Sequence, residues 1–389
     1  MQSKLNMIAK SNMLFEPRVK TFPSVTVAIP TYNEVNFIEN LVLGFLRTNY
    51  PNLIEIFVAD GGSNDGTQEI VKKLSDKDAR VKLIHNPEKI QSAGLNLVLS
   101  ECIGDVFIRI DAHSDYAPDY IERCVEALLE SKANNVGGAQ RFVAQTSFQA
   151  GVSLASKSFL GNGGAKYRNP NYTGYADTVY LGCFWKKSLL EIQGYNIEAS
   201  SNEDAELNLR LKKVFDTTQI TNQDAELNQR LISHNKQAIY IDSKIRAWYY
   251  PRKNWKSLFI QYFKYGRGRY LTSTKHKLKS QLRGLLPFVF ISTIILLLIV
   301  DLLFPNLGLP IEILVIIGLF LPFLESLRVN LVYLKSFSAE IWRGNEDKIP
   351  SFFSRWLFCG VTLLSMPIAH FSGYTYQLFR QKIMGVKTW

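Results

Sequence analysis

Val25-Thr-Val-Ala-Ile29 runs into Pro30-Thr-Tyr-Asn-Glu34, and Ile54-Glu-Ile-Phe-Val-Ala59 runs into Asp60-Gly-Gly-Ser-Asn-Asp-Gly-Thr67; these two junctions decide the fold. Each apolar run has the length and β-branched content of a buried strand, and each stops at turn-forming residues before a helical stretch. The first helix is expected over Asn33 to Leu46, with Asn33 as its N-cap, and the second over Thr67 to Leu74. The alternation continues with Val81-Lys-Leu-Ile84 as a third strand, Ser92 to Glu101 as a third helix and Val106-Phe-Ile-Arg-Ile110 as a fourth strand. Strands separated by helices pair in parallel, so Val25 to about Ile245 is predicted to be an α/β fold, a mixed, mostly parallel sheet flanked by helices.

In such sheets ligands bind beyond the carboxyl ends of the strands, and the polar residues of this chain gather there. Glycines at the strand-to-helix turn of Asp60 to Thr67 let backbone N–H groups approach an anion, and a carboxylate at the strand end can accept from a base N–H or a ribose hydroxyl. The bland reading of the same residues is ordinary turn chemistry. Arg109-Ile-Asp111-Ala-His113 ends the fourth strand, with Asp111 and His113 two apart and pointing the same way in an extended chain. Carboxylate and imidazole suit a divalent cation that bridges two phosphates, and a solvated turn is the alternative. Further on, Tyr195–Val214 and Phe215–His234 align as consecutive 20-residue units. Their cores, Asn202-Glu-Asp-Ala-Glu-Leu-Asn-Leu-Arg-Leu211 and Asn222-Gln-Asp-Ala-Glu-Leu-Asn-Gln-Arg-Leu231, read as a local tandem duplication rather than a solenoid. Asp204 and Asp224 then start amphipathic helices, where a carboxylate is either a general base or a cap.

The net charge of +11 favours an anionic partner, whether nucleotide phosphate, acidic lipid or nucleic acid, but the basic residues cluster beside an apolar run, which argues against DNA. The four cysteines are far apart and form no CxxC pair, which argues against a zinc site and a disulfide framework and suits a reducing compartment. The first 20 residues contain no apolar h-region, so no cleavable signal peptide is expected. Long apolar runs crowd the C-terminal third: Leu285 to Phe304, Leu309 to about Leu324, and Phe352 to Leu378. About 20 such residues cross a bilayer, so two to three membrane helices are expected, the first run being the best spanning candidate. Lys275-His-Lys-Leu-Lys-Ser-Gln-Leu-Arg283 precedes it and predicts a cytoplasmic catalytic domain at the cell inner membrane by the positive-inside rule. Three full spans would put the basic tail Arg380 to Lys387 outside, against that rule, which favours a re-entrant or surface-lying third segment.

In order, these motifs resemble the family 2 glycosyltransferases of the GT-A fold. Val27-Ala-Ile-Pro-Thr-Tyr-Asn-Glu34 is similar to the family's opening nucleotide-binding strand and loop, and Asp60 to Thr67 to its base- and ribose-binding turn. Asn86-Pro-Glu-Lys-Ile-Gln-Ser-Ala-Gly-Leu-Asn96 is similar to its helix leading to the metal strand, and Asp111-Ala-His113 stands where the family usually has Asp-x-Asp. Gly161-Asn-Gly-Gly-Ala165, Asp177-Thr-Val-Tyr-Leu-Gly182, Asn222-Gln-Asp-Ala-Glu226 and Gln261-Tyr-Phe-Lys-Tyr-Gly-Arg-Gly-Arg269 resemble the bacterial exopolysaccharide branch, the succinoglycan-type glucosyltransferases.

The resemblance, covering roughly residues 22–270, implies a nucleotide-diphosphate sugar as donor, a UDP-sugar before others. It implies that Pro30, Tyr32, Glu34 and Asp60 hold the nucleoside, that Lys89 and Asn96 lie near the nucleotide, and that Asp111 and His113 hold Mg²⁺ or Mn²⁺ on the diphosphate. Asp224 is implied as the base before Asp204: spacing from Gly194-Tyr195 points to Asp204, but spacing back from Asp242 and the better match of the wording around Asp224 favour Asp224. Gln261 and Arg267 sit where processive relatives carry Gln-x-x-Arg-Trp; the missing Trp speaks against processive synthesis. The expected acceptor is a lipid-linked saccharide. The expected organisation is an N-terminal extension over 1–21, the catalytic domain over 22–270, and a basic juxtamembrane and membrane region over 271–389. The rival readings are a nucleotidyltransferase acting on a sugar phosphate, which would need a cationic Gly-rich loop that the first strand lacks, and a non-catalytic membrane component whose duplication has disrupted the acceptor site.

Overall fold

The computed structural model describes residues 22–198, 203–215, 237–275, 282–304 and 311–385. Strands β1 (Val25–Thr31), β2 (Leu53–Asp60), β3 (Val81–His85) and β4 (Val106–Arg109) pair in parallel in the order β3-β2-β1-β4. Val25, Val27, Ala28 and Ile29 are wholly buried, so β1 is covered on both faces, as a central strand of a parallel sheet must be. The covering helices are α1 (Ile38–Leu46), α2 (Thr67–Lys77) and α3 (Gln91–Glu101). Ile38, Val42 and Phe45 of α1 pack on one face with Val27 and Ile29, while Leu95, Val98 and Leu99 of α3 pack on the other with Ala28 and Phe57.

After β4 the sheet changes character. β5 (Ser114–Tyr116), α4 (Tyr120–Ser131), β6 (Asn135–Phe142), α5 (Ser147–Lys157), β7 (Gly174–Tyr175), β8 (Tyr180–Trp185), α6 (Lys186–Glu191), α7 (Glu203–Phe215) and β9 (Ile239–Tyr249) follow. β8 pairs antiparallel with β4 and β6, β9 runs parallel to β6, and β5 closes on β9 antiparallel, giving a nine-stranded mixed sheet among the described residues. The predicted parallel half and the mixed, mostly parallel sheet are both present.

The chain then leaves the sheet in α8 (Trp255–Lys275), followed by α9 (Leu282–Leu303), α10 (Ile311–Val332), the short α11 (Phe337–Glu340) and α12 (Phe352–Met384). Among the described residues α12 is the one helix long and apolar enough to cross a membrane; the apolar part of α9, Pro287–Leu303, is shorter. Both α9 and α10 leave large apolar side chains uncovered, among them Phe290, Leu296, Leu302, Ile313, Phe320 and Leu324. The third apolar run, expected to lie on the surface or re-enter, is a single long helix that also packs on the catalytic half. α12 is locked to α8 by two glycines: a Cβ on Gly266 would overlap the His370 carbonyl, and one on Gly373 would overlap that of Phe263. The backbones meet there with no side chain between them, the close approach that small residues allow.

Candidate active site

The polar residues meet at the carboxyl ends of β1, β2 and β4. β1 delivers Pro30 and the exposed Tyr32, then Asn33 and Glu34. Asn33 is not the N-cap expected of it. It has φ +55°, its Oδ1 accepts from the Asn64 backbone at 3.0 Å and its own N–H donates to Ser63 Oγ at 2.8 Å, while helix α1 starts only at Ile38. The first loop is thereby tied to the second, and Glu34 N–H adds a bond to Thr67 Oγ1 at 2.9 Å.

Asp60 is 1 % exposed, and its carboxylate holds its own turn together. Oδ1 accepts from the N–H groups of Gly62 and Ser63 at 2.9 and 2.8 Å, and Oδ2 from Ser63 Oγ at 2.5 Å. Gly62 and Gly66 have φ of +86° and +102°, which L side chains avoid, so the glycines are required by the turn. Lys89, itself at φ +57°, lies against this turn, its Cα beside Gly61 and its Cε beside Gly62. Asn96 does not face this loop. Its Nδ2 donates to the Tyr195 carbonyl at 2.8 Å and its Oδ1 accepts from the Tyr195 N–H at 2.7 Å, clamping α3 to the segment that leads into α7.

β4 contributes Arg109, 4 % exposed, and then Asp111 and His113. Arg109 is the hub of the site. Nη1 contacts Asp204 Oδ1, while Nη2 lies 3.5 Å from Asp111 Oδ1 and 3.7 Å from Glu203 Oε1. Burial works against the Arg109 charge, but the three carboxylates outweigh it and hold the guanidinium protonated. Desolvation pushes the Asp204 carboxyl up to about 7, Arg109 opposing and Glu203 and Asp111 assisting, although the side chain is still 36 % exposed. Asp111 Oδ1 also accepts from Gln91 Nε2 at 3.1 Å. His113 Nδ1 lies 3.2 Å from Glu34 Oε1. Burial lowers the affinity of its ring for a proton, yet Glu34 and Asp111 together raise it above the ordinary histidine value.

The donor set fits a divalent cation. With Nδ1–H donating to Glu34, the lone pair of His113 lies on Nε2, the carboxylate–histidine arrangement that orients an imidazole toward a metal. No group of three or more His, Cys, Asp or Glu placed to hold a metal ion occurs among the described residues, so a cation at Asp111 and His113 would take its other ligands from phosphate oxygens or water.

Of the remaining candidates, Asp224 lies outside the described residues. Gln261 Nε2 donates to Tyr249 and Tyr265 hydroxyls at 3.3 and 2.9 Å, and the Tyr249 ring lies 6.1 Å from that of His113, so Gln261 reaches the site through a tyrosine. Arg267 is turned to α12, donating from Nε to Gln377 Oε1 at 3.0 Å. Arg109, Gln91 and Glu203 were not singled out from the sequence. The signal for Arg109 is a charged residue inside an apolar strand two places before its partner Asp111; nothing local shows that it also meets Glu203 and Asp204, 94 and 95 positions later.

A family model, glycosyl transferase family 2, matches residues 26–185. The succinoglycan biosynthesis protein ExoA of Rhizobium meliloti (strain 1021) is 36 % identical over 269 residues, covering 69 % of this chain and 75 % of that protein. A dolichyl N-acetyl-alpha-D-glucosaminyl phosphate 3-beta-D-2,3-diacetamido-2,3-dideoxy-beta-D-glucuronosyltransferase of Methanococcus voltae is 26 % identical over 287 residues, 72 % of this chain and 82 % of that protein. The solved structure of the mannosyltransferase PcManGT from Pyrobaculum calidifontis, in complex with GDP-Man and Mn²⁺, is a distant likeness at 15 % identity and TM-score 0.48, covering 97 % of this chain and 94 % of that one.

Proposed function

Because the chain belongs to glycosyl transferase family 2, we propose that this glycosyltransferase moves a sugar from a nucleotide-diphosphate sugar, a UDP-sugar before others, to a hydroxyl of a lipid-linked saccharide in exopolysaccharide or envelope polysaccharide synthesis. The observation that carries the reading is the convergence of Asp111, Glu203 and Asp204 on Arg109 at the carboxyl ends of the parallel strands, with His113 paired to Glu34 beside Asp111. The turn at Asp60 to Thr67, with Pro30, Tyr32 and Lys89 beside it, takes the nucleoside. Asp111 and His113 would hold Mg²⁺ or Mn²⁺, whose charge offsets that of the departing diphosphate.

Asp204 is the base. Its carboxylate takes the proton of the acceptor hydroxyl while that oxygen bonds to the anomeric carbon and the bond to the diphosphate breaks. One displacement inverts the anomeric configuration. Arg109 positions Asp204, and the contact between them supports a working acceptor side over a non-catalytic component. We place residues 22–270 in a cytoplasmic catalytic domain and 271–389 at the cytoplasmic membrane, supported by α12 and by the basic segment of residues 275–283.

The test offers UDP-, GDP- and dTDP-sugars with Mg²⁺ or Mn²⁺ to the detergent-solubilised protein. Metal-dependent transfer with inverted configuration, abolished in Asp204→Asn, is expected. A product that keeps the donor's configuration would sink the single displacement, and equal activity on soluble and lipid-linked acceptors would sink the lipid acceptor.

A further inference from the structure

Arg168 stands apart from the site just described. Its guanidinium lies over the Phe142 ring at 4.4 Å and the Tyr167 ring at 5.0 Å, and Tyr262 and Tyr265 of α8 stand close enough to feel its charge. Its Nη1 is shut off from solvent and has no hydrogen-bond partner, a side-chain hydrogen bond goes to Tyr167, and no carboxylate pairs with it among the described residues. Two arginines of the sheet strands have their charged groups met. Arg109 has three carboxylates, and Arg141 donates to the carbonyls of Ile245 and Ser243 at 3.0 and 2.8 Å. Arg168 is part-buried, and a guanidinium drawn partly out of water without an anion or a full set of acceptors is destabilised, a cost that an anionic ligand would remove.

Two further observations say what sort of ligand that is. First, Arg168 is joined to the catalytic centre by touching rings: Phe142 lies 5.0 Å from Tyr249, and Tyr249 lies 6.1 Å from His113. Second, Tyr262, one of its neighbours, also lines a groove of about 260 Å³ between α8 and α12. The groove walls are apolar: Trp255, Leu258 and Phe259 on one side, Met366 and Ala369 on the other, with Lys256 on the rim. The α12 wall belongs to the helix long and apolar enough to cross a membrane.

We propose that Arg168 and this groove hold the carrier of the acceptor, with the guanidinium on the phosphate that links saccharide to lipid and the first part of the hydrocarbon chain between α8 and α12. The proposal rests on the lipid-linked acceptor proposed above. Charge selects the occupant: an uncompensated cation at one end, an apolar channel beside it and a membrane helix as its wall match a lipid phosphate, and neither a free sugar nor a neutral lipid matches both parts.

The experiment measures binding of farnesyl monophosphate, farnesol and inorganic phosphate to the full-length, detergent-solubilised protein by equilibrium dialysis, in EDTA so that Asp111 and His113 hold no metal. Wild type is expected to bind farnesyl monophosphate at least about tenfold more tightly than either of the others. Arg168→Met removes the advantage over farnesol, Arg168→Lys keeps part of it, and Ala369→Phe weakens both farnesyl ligands. Equal affinity of wild type for farnesyl monophosphate and farnesol would overturn the phosphate site. Inorganic phosphate binding as tightly as farnesyl monophosphate would overturn the groove. Unchanged binding in a folded Arg168→Met, checked by its thermal melt, would reduce Arg168 to a structural stack on Phe142. If that variant does not fold, the wild-type comparison and Arg168→Lys still decide. A wild type that binds as expected but transfers no sugar would sink the glycosyl-transfer reading and leave this site standing.

Discussion

Replacing Arg109 by Met tests the hub of the site. The substitution keeps an unbranched chain in the strand and removes the guanidinium that faces Asp204, Asp111 and Glu203. Taking one partner from a fully buried pair costs roughly 3–5 kcal/mol, because the other charge is left unpaired. Here the three carboxylates retain 36 %, 16 % and 15 % exposure, so water recovers part of that, and about 2–3 kcal/mol is expected. At roughly 2–4 °C per kcal/mol for a domain of this size, the melting temperature falls by about 4–12 °C. The assay is a thermal melt of the solubilised protein followed by tryptophan fluorescence. The decisive arm is the double variant Arg109→Met/Asp204→Asn. Neutralising Asp204 removes one of the stranded charges, so the double variant should melt above Arg109→Met although it carries one substitution more. A shift under about 1 °C for Arg109→Met, or no recovery in the double variant, would refute the idea that charge balance holds this site.

The remaining predictions follow from the same kind of accounting. Asn96→Ala removes two hydrogen bonds to the Tyr195 backbone and should cost about 1–3 kcal/mol while lowering kcat more than it raises the donor KM; unchanged kinetics would show that α7 needs no clamp. Glu55 is buried and accepts from Lys82 Nζ, Thr26 Oγ1 and Ile103 N–H at 2.7, 2.8 and 2.8 Å. Burial pushes its carboxyl up, but Lys82 and the other donors bring it below the ordinary value. Its stabilisation is therefore full above the unfolded value of about 4.3 and is lost as pH falls through the folded one, so Glu55→Gln should flatten the acid limb of the stability profile; an unchanged limb would refute this. EDTA should stop transfer and Mn²⁺ or Mg²⁺ restore it, whereas transfer unaffected by EDTA would remove the metal from the proposal.

The fold was legible because it rests on local alternation. The runs at Val25 and Ile54 are buried strands, and their polar ends are the loops that carry the site. What local reading missed was set by distant partners. Asn33 looks like a cap, but a positive φ and its bonds to Asn64 and Ser63 make it a staple between loops. Asn96, expected beside the nucleotide, is engaged by Tyr195, 99 positions away. Gln261 and Arg267 lie on one helix, yet one turns to Tyr249 and the other to Gln377 of α12, a helix whose position no spacing rule supplies. Arg168 carried no signal at all, since an arginine after Ala165-Lys-Tyr167 is unremarkable until its neighbours are known to be rings.

The duplication leaves one question that the geometry makes sharp. The first copy is built into the core: Leu207 and Leu211 are buried against Phe184, and Asn208 bridges Asn135 and Thr178 at 2.9 Å each. The second copy offers the same chemistry, with Leu227, Leu231 and Asn228 at the matching positions. It differs where it matters to Arg109, because Gln223 replaces the charged Glu203 that lies 3.7 Å from the guanidinium. Only the first copy therefore neutralises Arg109 with two acidic side chains of its own. Asp204→Asn should accordingly cost on the order of 100-fold or more in kcat, the range of a lost general base, while Asp224→Asn costs less than about threefold. The reverse result would seat the second copy against Arg109. Comparable losses from both would mean that the two copies share the slot, exchanging in a site that accepts either helix.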